Sequence, residues 1–236
     1  MIEEIDWSVG QIMQALDRLD LMDNTWVIFT TDNGPWLSYG NHAGTAGPLR
    51  EGKGTCWEGG VRVPCIMRWP GQIPAGTVGN DMLMTIDLFP TIAAKIGATL
   101  PKHQIDGLDV WPLLAGTPDA RNPHQAYWYY YEVNQLQAVV SGDGRWKLQL
   151  PHTYRTLPSH AGGADGKPAK YEQVKIEAPE LYDLQAEIGE TTNVADSHPE
   201  QLKRMLAVAE QARAELGDSL TKRTGSGVRD AGKLAE

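Results

Sequence analysis

The sequence predicts an α/β chain, part of a doubly wound sheet followed by a small α+β unit, and three observations predict it. A helical apolar pattern over Ile2 to Leu19 runs into the apolar stretch Thr25 to Thr31, the helix-then-strand unit of a doubly wound sheet. Leu100 to Pro123 is rich in Pro, Gly and Asp with little periodicity, which marks a boundary. Beyond it, aromatic and hairpin-forming runs lead to a second amphipathic helix. The expected division is 1–115 for part of a larger α/β domain, 124–217 for a small antiparallel sheet with a terminal helix, and 218–236 for a disordered tail.

In the first helix, Ile5, Val9, Ile12, Leu16 and Leu19 recur at spacings of four and three and form one face. Leu21 to Asn24 turns the chain. Trp26, Val27, Ile28 and Phe29 follow in succession, which suits a strand buried on both faces of a parallel sheet. Asp32-Asn33-Gly34 ends that strand, and ligands gather at the carboxyl ends of strands in open α/β sheets. A carboxylate beside an amide carbonyl offers two hard oxygen donors of the kind Ca²⁺ or Mg²⁺ prefers. Alone, the same tripeptide reads as a turn. The next stretch places Gly40, Gly44, Gly47, Gly52, Gly54, Gly59 and Gly60 around His42, Arg50, Lys53 and Glu58. Glycines admit close approach of backbone to a ligand, and a lysine among them is a point charge suited to sulfate or phosphate. A solvated surface lysine is the commoner fate.

Val61 to Trp69 reads as a strand with Pro64 at an edge or bulge. Asp87 caps a helix that tolerates Pro90, buries Ile92, Ala93 and Ile96, and closes at Gly97. Asp106 to Asp109 lacks the acidic spacing of a calcium hand and reads as a turn anchoring Val110, Trp111, Leu113 and Leu114. Ala126 to Glu132 is a strand, and Gln137 to Leu150 forms a hairpin around Ser141-Gly142-Asp143-Gly144. Trp128, Tyr130 and Trp146 there read as core rather than a sugar-stacking platform. Pro151 to Lys170 is polar and glycine-rich, a mobile surface loop in which His152 and His160 have no metal-ligand spacing. Ser197-His198-Pro199-Glu200 is a capping-box start for a helix that buries Leu202, Met205, Leu206, Ala209 and Leu216.

The net charge of −9 is spread along the chain, which argues against nucleic acid or an anionic membrane as a partner and leaves Lys53 as a local basic spot. Two cysteines nine positions apart fit one disulfide or two thiols equally. The chain opens without a signal-peptide pattern, and no apolar run is long enough to span a bilayer.

Three motifs in fixed order carry a resemblance. Thr31-Asp32-Asn33-Gly34, then Gly52-Lys53-Gly54-Thr55-x-x-Glu58-Gly59-Gly60-Val61-Arg62-x-Pro64, then Arg68-Trp69-Pro70-Gly71, resemble the second half of the sulfatase family, of the alkaline-phosphatase superfamily. The resemblance implies a partial sulfatase-type sheet and hydrolysis of aryl or carbohydrate sulfate esters. It implies a formylglycine nucleophile and a divalent cation, Ca²⁺ with Mg²⁺ as the alternative. By the same resemblance Asp32 and Asn33 are metal ligands, Lys53 is the catalytic contact to the sulfate, and His42 is within reach of substrate. Glu58, Gly59, Gly60, Arg62 and Pro64 are read as architecture.

One departure matters. The family's Cys-x-Pro-x-Arg or Ser-x-Pro-x-Arg is absent: Cys65 leads into Ile66-Met67-Arg68 and Cys56 into Trp57-Glu58-Gly59. The expectation is therefore a carboxyl-terminal half, inactive alone, with the formylglycine in a missing amino-terminal part and a periplasmic or extracellular complete enzyme. The competing readings are a phosphate- or phosphonate-ester hydrolase of the same superfamily and a non-catalytic binding module.

Overall fold

A computed structural model describes residues 1–157 and 161–229, in two compact units: Met1–Thr31 with Pro64–Pro123, and Asp32–Val63 with the residues from His124 onward. In chain order the elements are α1 (Ile2–Arg18), β1 (Val27–Thr30), the one-turn α2 (Glu58–Val61), β2 (Cys65–Arg68), α3 (Leu88–Ile96) and the one-turn α4 (Trp111–Leu114). There follow β3 (Ala126–Tyr131), β4 (Gln135–Ser141), β5 (Trp146–Gln149), β6 (His152–Thr156), β7 (Glu172–Ile176), β8 (Glu180–Asp183) and α5 (Pro199–Leu216). The glycine-rich stretch thus belongs to the unit that holds the carboxyl-terminal sheet.

In the first unit, α1 carries Glu3 and Glu4 in its first turn and Arg18 in its last, which suits the helix dipole. None of its residues is buried. β1 pairs antiparallel with β2, Val27 opposite Arg68 and Thr30 opposite Cys65. This corrects the parallel, doubly buried strand expected from its composition, because an apolar run does not encode the direction of its neighbour. Phe29 and Ile66 are both exposed. Val61 ends α2 rather than opening a strand, and β2 starts only after Pro64, which has no N–H for a ladder. Trp26, Trp69 and Trp111 pack ring on ring with centroids 5.5–5.9 Å apart, and Lys95 Nζ lies 4.0 Å from the Trp111 centroid.

Asp87 is buried and accepts N–H bonds from Met84 (2.9 Å) and Leu108 (3.0 Å). It therefore caps from within the helical turn that precedes α3 and braces the 107–110 loop as well. α3 closes at Gly97 with φ +67°. Its buried face is Pro90, Thr91 and Ala93, since the Thr91 hydroxyl accepts the Val110 N–H at 3.0 Å; Ile92 and Ile96, expected inside, are exposed.

The second unit holds an antiparallel sheet of order β3-β4-β5-β8 with Tyr127 opposite Val140, Val139 opposite Leu148 and Leu148 opposite Leu181. The hairpin turn is as expected, with Gly144 at φ +70°. Met205, Ala209 and Ala212 of α5 pack on Leu136, Val139, Leu148, Leu150 and Leu181, and Trp128, Tyr130, Trp146, Leu202 and Leu206 surround that core. No capping box forms: Ser197 Oγ donates to the Val194 carbonyl instead.

Two further expectations are corrected here. His152–Thr156 is a strand, paired with β7 so that His152 faces Ile176 and Thr156 faces Glu172. His152 and Tyr154 are buried while Thr153 is exposed, the alternation of a half-buried strand. His160 lies outside the described residues. Residues 218–229 fold back on α5 instead of fraying. Buried Asp218 accepts from Leu220 N–H (3.0 Å) and Arg213 Nε (2.9 Å), and Ser226 N–H donates to the Ala214 carbonyl (2.9 Å). Both cysteines are free thiols, Cys56 buried and Cys65 exposed. No helix among the described residues is long and apolar enough to cross a membrane.

Candidate active site

Asp32, Asn33, His42 and Lys53 all lie in the second unit, on a stretch knotted by main-chain hydrogen bonds. The Lys53 N–H donates to the Pro35 carbonyl at 2.9 Å, the Gly34 N–H to the Gly60 carbonyl at 3.1 Å, and the Gly59 N–H to the Arg50 carbonyl at 2.8 Å. Glycine is required where these strands of backbone meet. A Cβ on Gly34 would sit 1.7 Å from the Gly59 carbonyl oxygen, and one on Gly59 would sit 2.1 Å from that of Glu51. The first two motifs are thereby held side by side, the Asp-Asn pair against the Gly-Lys-Gly loop.

Asn33 Nδ2 donates to the Gly34 carbonyl at 2.9 Å, which leaves Oδ1 as the side chain's acceptor. Asp32 is exposed. The two supply hard oxygens of the type a calcium or magnesium ion takes, out of a set of roughly six to eight. Among the described residues no cluster of three or more His, Cys, Asp or Glu could hold a metal. By themselves Asp32 and Asn33 account for only part of such a set.

Lys53 is clamped at three points. Its N–H is taken by Pro35, its carbonyl accepts Nε and Nη2 of Arg155 at 3.2 and 2.5 Å, and its Nζ lies 5.3 Å from the Trp36 ring centroid. Arg155 stacks on Tyr171, 4.6 Å from its centroid. His42 ends the 3-10 turn Leu37–His42, is exposed, and makes no side-chain hydrogen bond among the described residues.

Beneath the loop lies a buried scaffold. Trp57 is fully buried, edge-on to Tyr154 and Tyr182 at 5.5 Å each, with the Arg50 guanidinium 3.6 Å from its centroid. Lys147 Nζ lies 2.9 Å from Glu58 Oε1 and 3.0 Å from Glu190 Oε1, while Arg62 Nε meets Glu58 Oε2 at 2.9 Å. Glu190 Oε2 also accepts the Glu58 N–H at 2.6 Å. Burial works against the Glu58 carboxylate, but Lys147 and Arg62 outweigh it and hold its pKa below the ordinary range. At Glu190 burial prevails over Lys147 and the pKa is raised. Burial disfavours the Lys147 ammonium too, yet the two carboxylates keep its pKa above the usual lysine value. Burial pushes the Cys56 thiol up to about 12, which makes it inert. The reading of Glu58, Gly59, Gly60 and Arg62 as architecture agrees with this geometry. Sequence reasoning misses Lys147, Glu190, Arg155 and Trp36. For Lys147 the one available signal is a lysine inside an otherwise buried strand.

Residues 1–98 match the family described as Sulfatase, residues 52–149 the C-terminal part of N-sulphoglucosamine sulphohydrolase, and residues 122–228 the C-terminal region of aryl-sulfatase. The chain is also 38% identical to arylsulfatase A of Bos taurus over 212 residues, 88% of this chain and 41% of that one. It belongs to the sulfatase family. Among solved structures, this sulfatase-family chain is similar to one described under the metabolism of multiple glycosaminoglycans by Bacteroides thetaiotaomicron, with TM-score 0.70 and 31% identity over 89% of this chain and 43% of that one. It is likewise similar to the PsFucS1 sulfatase from Pseudoalteromonas sp., with TM-score 0.76 and 25% identity over 89% and 41%. The fold is the alkaline-phosphatase-like sulfatase fold expected from the motifs. The chain spans less than half the length of the curated relatives it matches, and the match is to their carboxyl-terminal part.

Proposed function

We propose that this chain is the carboxyl-terminal part of a sulfuric ester hydrolase, in which Asp32 and Asn33 give oxygen ligands to a divalent cation and Lys53 contacts the sulfate. The observation that carries the reading is the main-chain bond from Lys53 N–H to Pro35, 2.9 Å, which fixes a lysine against the Asp32-Asn33 loop. A cation bound there supplies charge that polarises sulfate oxygens. Lys53 holds negative charge on the ester from a position set by Pro35, Arg155 and Trp36. His42 extends from the same loop as a hydrogen-bonding group for the organic part of the ester. The nucleophile, a formylglycine by family, comes from the amino-terminal part.

The test uses the polypeptide completed by an amino-terminal portion bearing Cys-x-Pro-x-Arg or Ser-x-Pro-x-Arg. Lys53→Ala should lower turnover of a sulfate ester by about 10²–10³-fold, the scale of a lost charge stabiliser. Asp32→Ala should abolish it, and undiminished turnover in that variant overturns the assignment. Faster hydrolysis of a phosphate ester than of the matched sulfate ester moves the reading to phosphate chemistry.

A further inference from the structure

Trp36 stands three residues beyond Asn33 and is 46% exposed, whereas Trp57 in the same unit is fully buried and Trp128 and Trp146 lie against the core. The segment that displays it is firmly built. Ser38 is buried, and its carbonyl accepts the N–H groups of Gly163 at 2.8 Å and Ala169 at 2.7 Å. Gly40 adopts φ +55°, and a Cβ there would lie 1.9 Å from the Gly163 carbonyl oxygen, so two backbones touch beneath the turn. Tyr39 meets Trp36 edge-on, 4.9 Å between centroids at 78°. Lys53 Nζ lies 5.3 Å from the indole centroid. A half-exposed indole forfeits part of the free energy its full burial would contribute.

We infer that Trp36, backed by Tyr39, is a stacking platform for the pyranose ring of a carbohydrate sulfate. The inference rests on the reading of Lys53 as the sulfate contact. An indole face matches the C–H face of a sugar, and the neighbouring ammonium matches an anionic substituent on that ring. Asn41 and His42, exposed on the same turn, offer partners to ring hydroxyls, which a simple aryl sulfate does not carry.

The test follows the tryptophan indole N–H resonances of the 236-residue chain, with Trp36 assigned by its loss in Trp36→Phe. The probes are galactose 6-sulfate, galactose, p-nitrophenyl sulfate and sodium sulfate. Galactose 6-sulfate should shift the Trp36 signal, and Trp36→Ala should weaken its binding by about ten-fold. Trp36→Phe should retain part of the affinity. No response at Trp36 to either sugar, or a response to p-nitrophenyl sulfate that equals or exceeds that to galactose 6-sulfate, overturns the platform. If both sugars shift Trp36 equally and Lys53→Met changes nothing, the platform stands and the sulfate role of Lys53 falls. If sodium sulfate binding depends on Lys53 while Trp36 ignores both sugars, the sulfate role stands and the platform falls.

Discussion

Lys147 Nζ lies 2.9 Å from Glu58 Oε1, and neither side chain is more than 1% exposed. The lysine belongs to β5 and the glutamate to the Gly-rich motif, so the loop that carries Lys53 is fastened to the carboxyl-terminal sheet by buried charge. An intact buried ion pair adds little over a packed apolar pair, but removing one partner leaves an uncompensated charge and costs about 3–5 kcal/mol. Lys147→Met should destabilise the protein by about that amount in urea unfolding followed by circular dichroism. Adding Glu58→Gln and Glu190→Gln to the same chain should recover part of the loss, because those carboxylates are then no longer stranded. A loss in Lys147→Met within the error of the extrapolation contradicts the account.

His152 gives a pH dependence of known sign. Its Nδ1 lies 2.6 Å from the Leu150 carbonyl, an acceptor only, so Nδ1 carries the proton, while Nε2 is buried with no partner among the described residues. Burial holds the imidazole below its ordinary value of 6.5, and the Leu150 bond offsets this only in part. As pH falls through 6.5 the unfolded chain takes up a proton that the folded chain refuses, so stability falls with pH until the folded value is reached. From this group alone, stability is flat above 6.5. His152→Asn should flatten the decline between pH 7 and pH 5.5 in urea unfolding; identical slopes in the two proteins refute the assignment.

Gly34→Ala tests the knot directly. A methyl group at Gly34 meets the Gly59 carbonyl oxygen at 1.7 Å, and backbone cannot swing aside as a side chain can. The variant should lose about 3 kcal/mol, the upper range for overpacking, and the Gly34 amide should lose its protection from exchange. Gly44→Ala is the control for the same loop: the site has open space but φ +79°, so its smaller cost is backbone strain alone. Equal stability of Gly34→Ala and the parent chain refutes the close approach.

What was legible in the sequence was local. The apolar spacing of α1, the turn Ser141 to Gly144 and the stripe Met205-Ala209 each declare themselves within a few residues. That Asn33 and Lys53 share one glycine-rich stretch was legible because their motifs are short and ordered. Lys147 and Glu58 are 89 positions apart, and nothing in either neighbourhood signals the other. β6 was hidden because His152 and Tyr154 alternate with Thr153 and Arg155, so its mean polarity is that of a loop. The antiparallel pairing of β1 was hidden because hydrophobicity reports burial and not direction. Arg155 was missed for the same reason as Lys147: its role lies in reaching the carbonyl of Lys53, 102 positions away.

The two units differ in the cores they build, and this yields the last prediction. In the first unit, among the described residues, Ala93 and Val110 are the only hydrophobic side chains that are buried apart from Pro90; Ile5, Trp7, Ile12, Phe29, Ile66, Phe89 and Ile96 are exposed. A helix of 17 residues without a buried face has only its own hydrogen bonds, which are marginal in water at that length. The second unit has Leu136, Val139, Leu148, Leu181 and Met205 at 2% exposure or less. In hydrogen exchange followed by mass spectrometry, peptides from α1 should exchange at rates near those of an unstructured chain, whereas β4 and β5 should be protected to the level of global unfolding. The exposed apolar surface should also bind a hydrophobic dye such as ANS, and both signals should diminish when an amino-terminal sulfatase portion is supplied. Protection of α1 equal to that of β4 in this chain alone refutes the claim that the first unit lacks a core of its own.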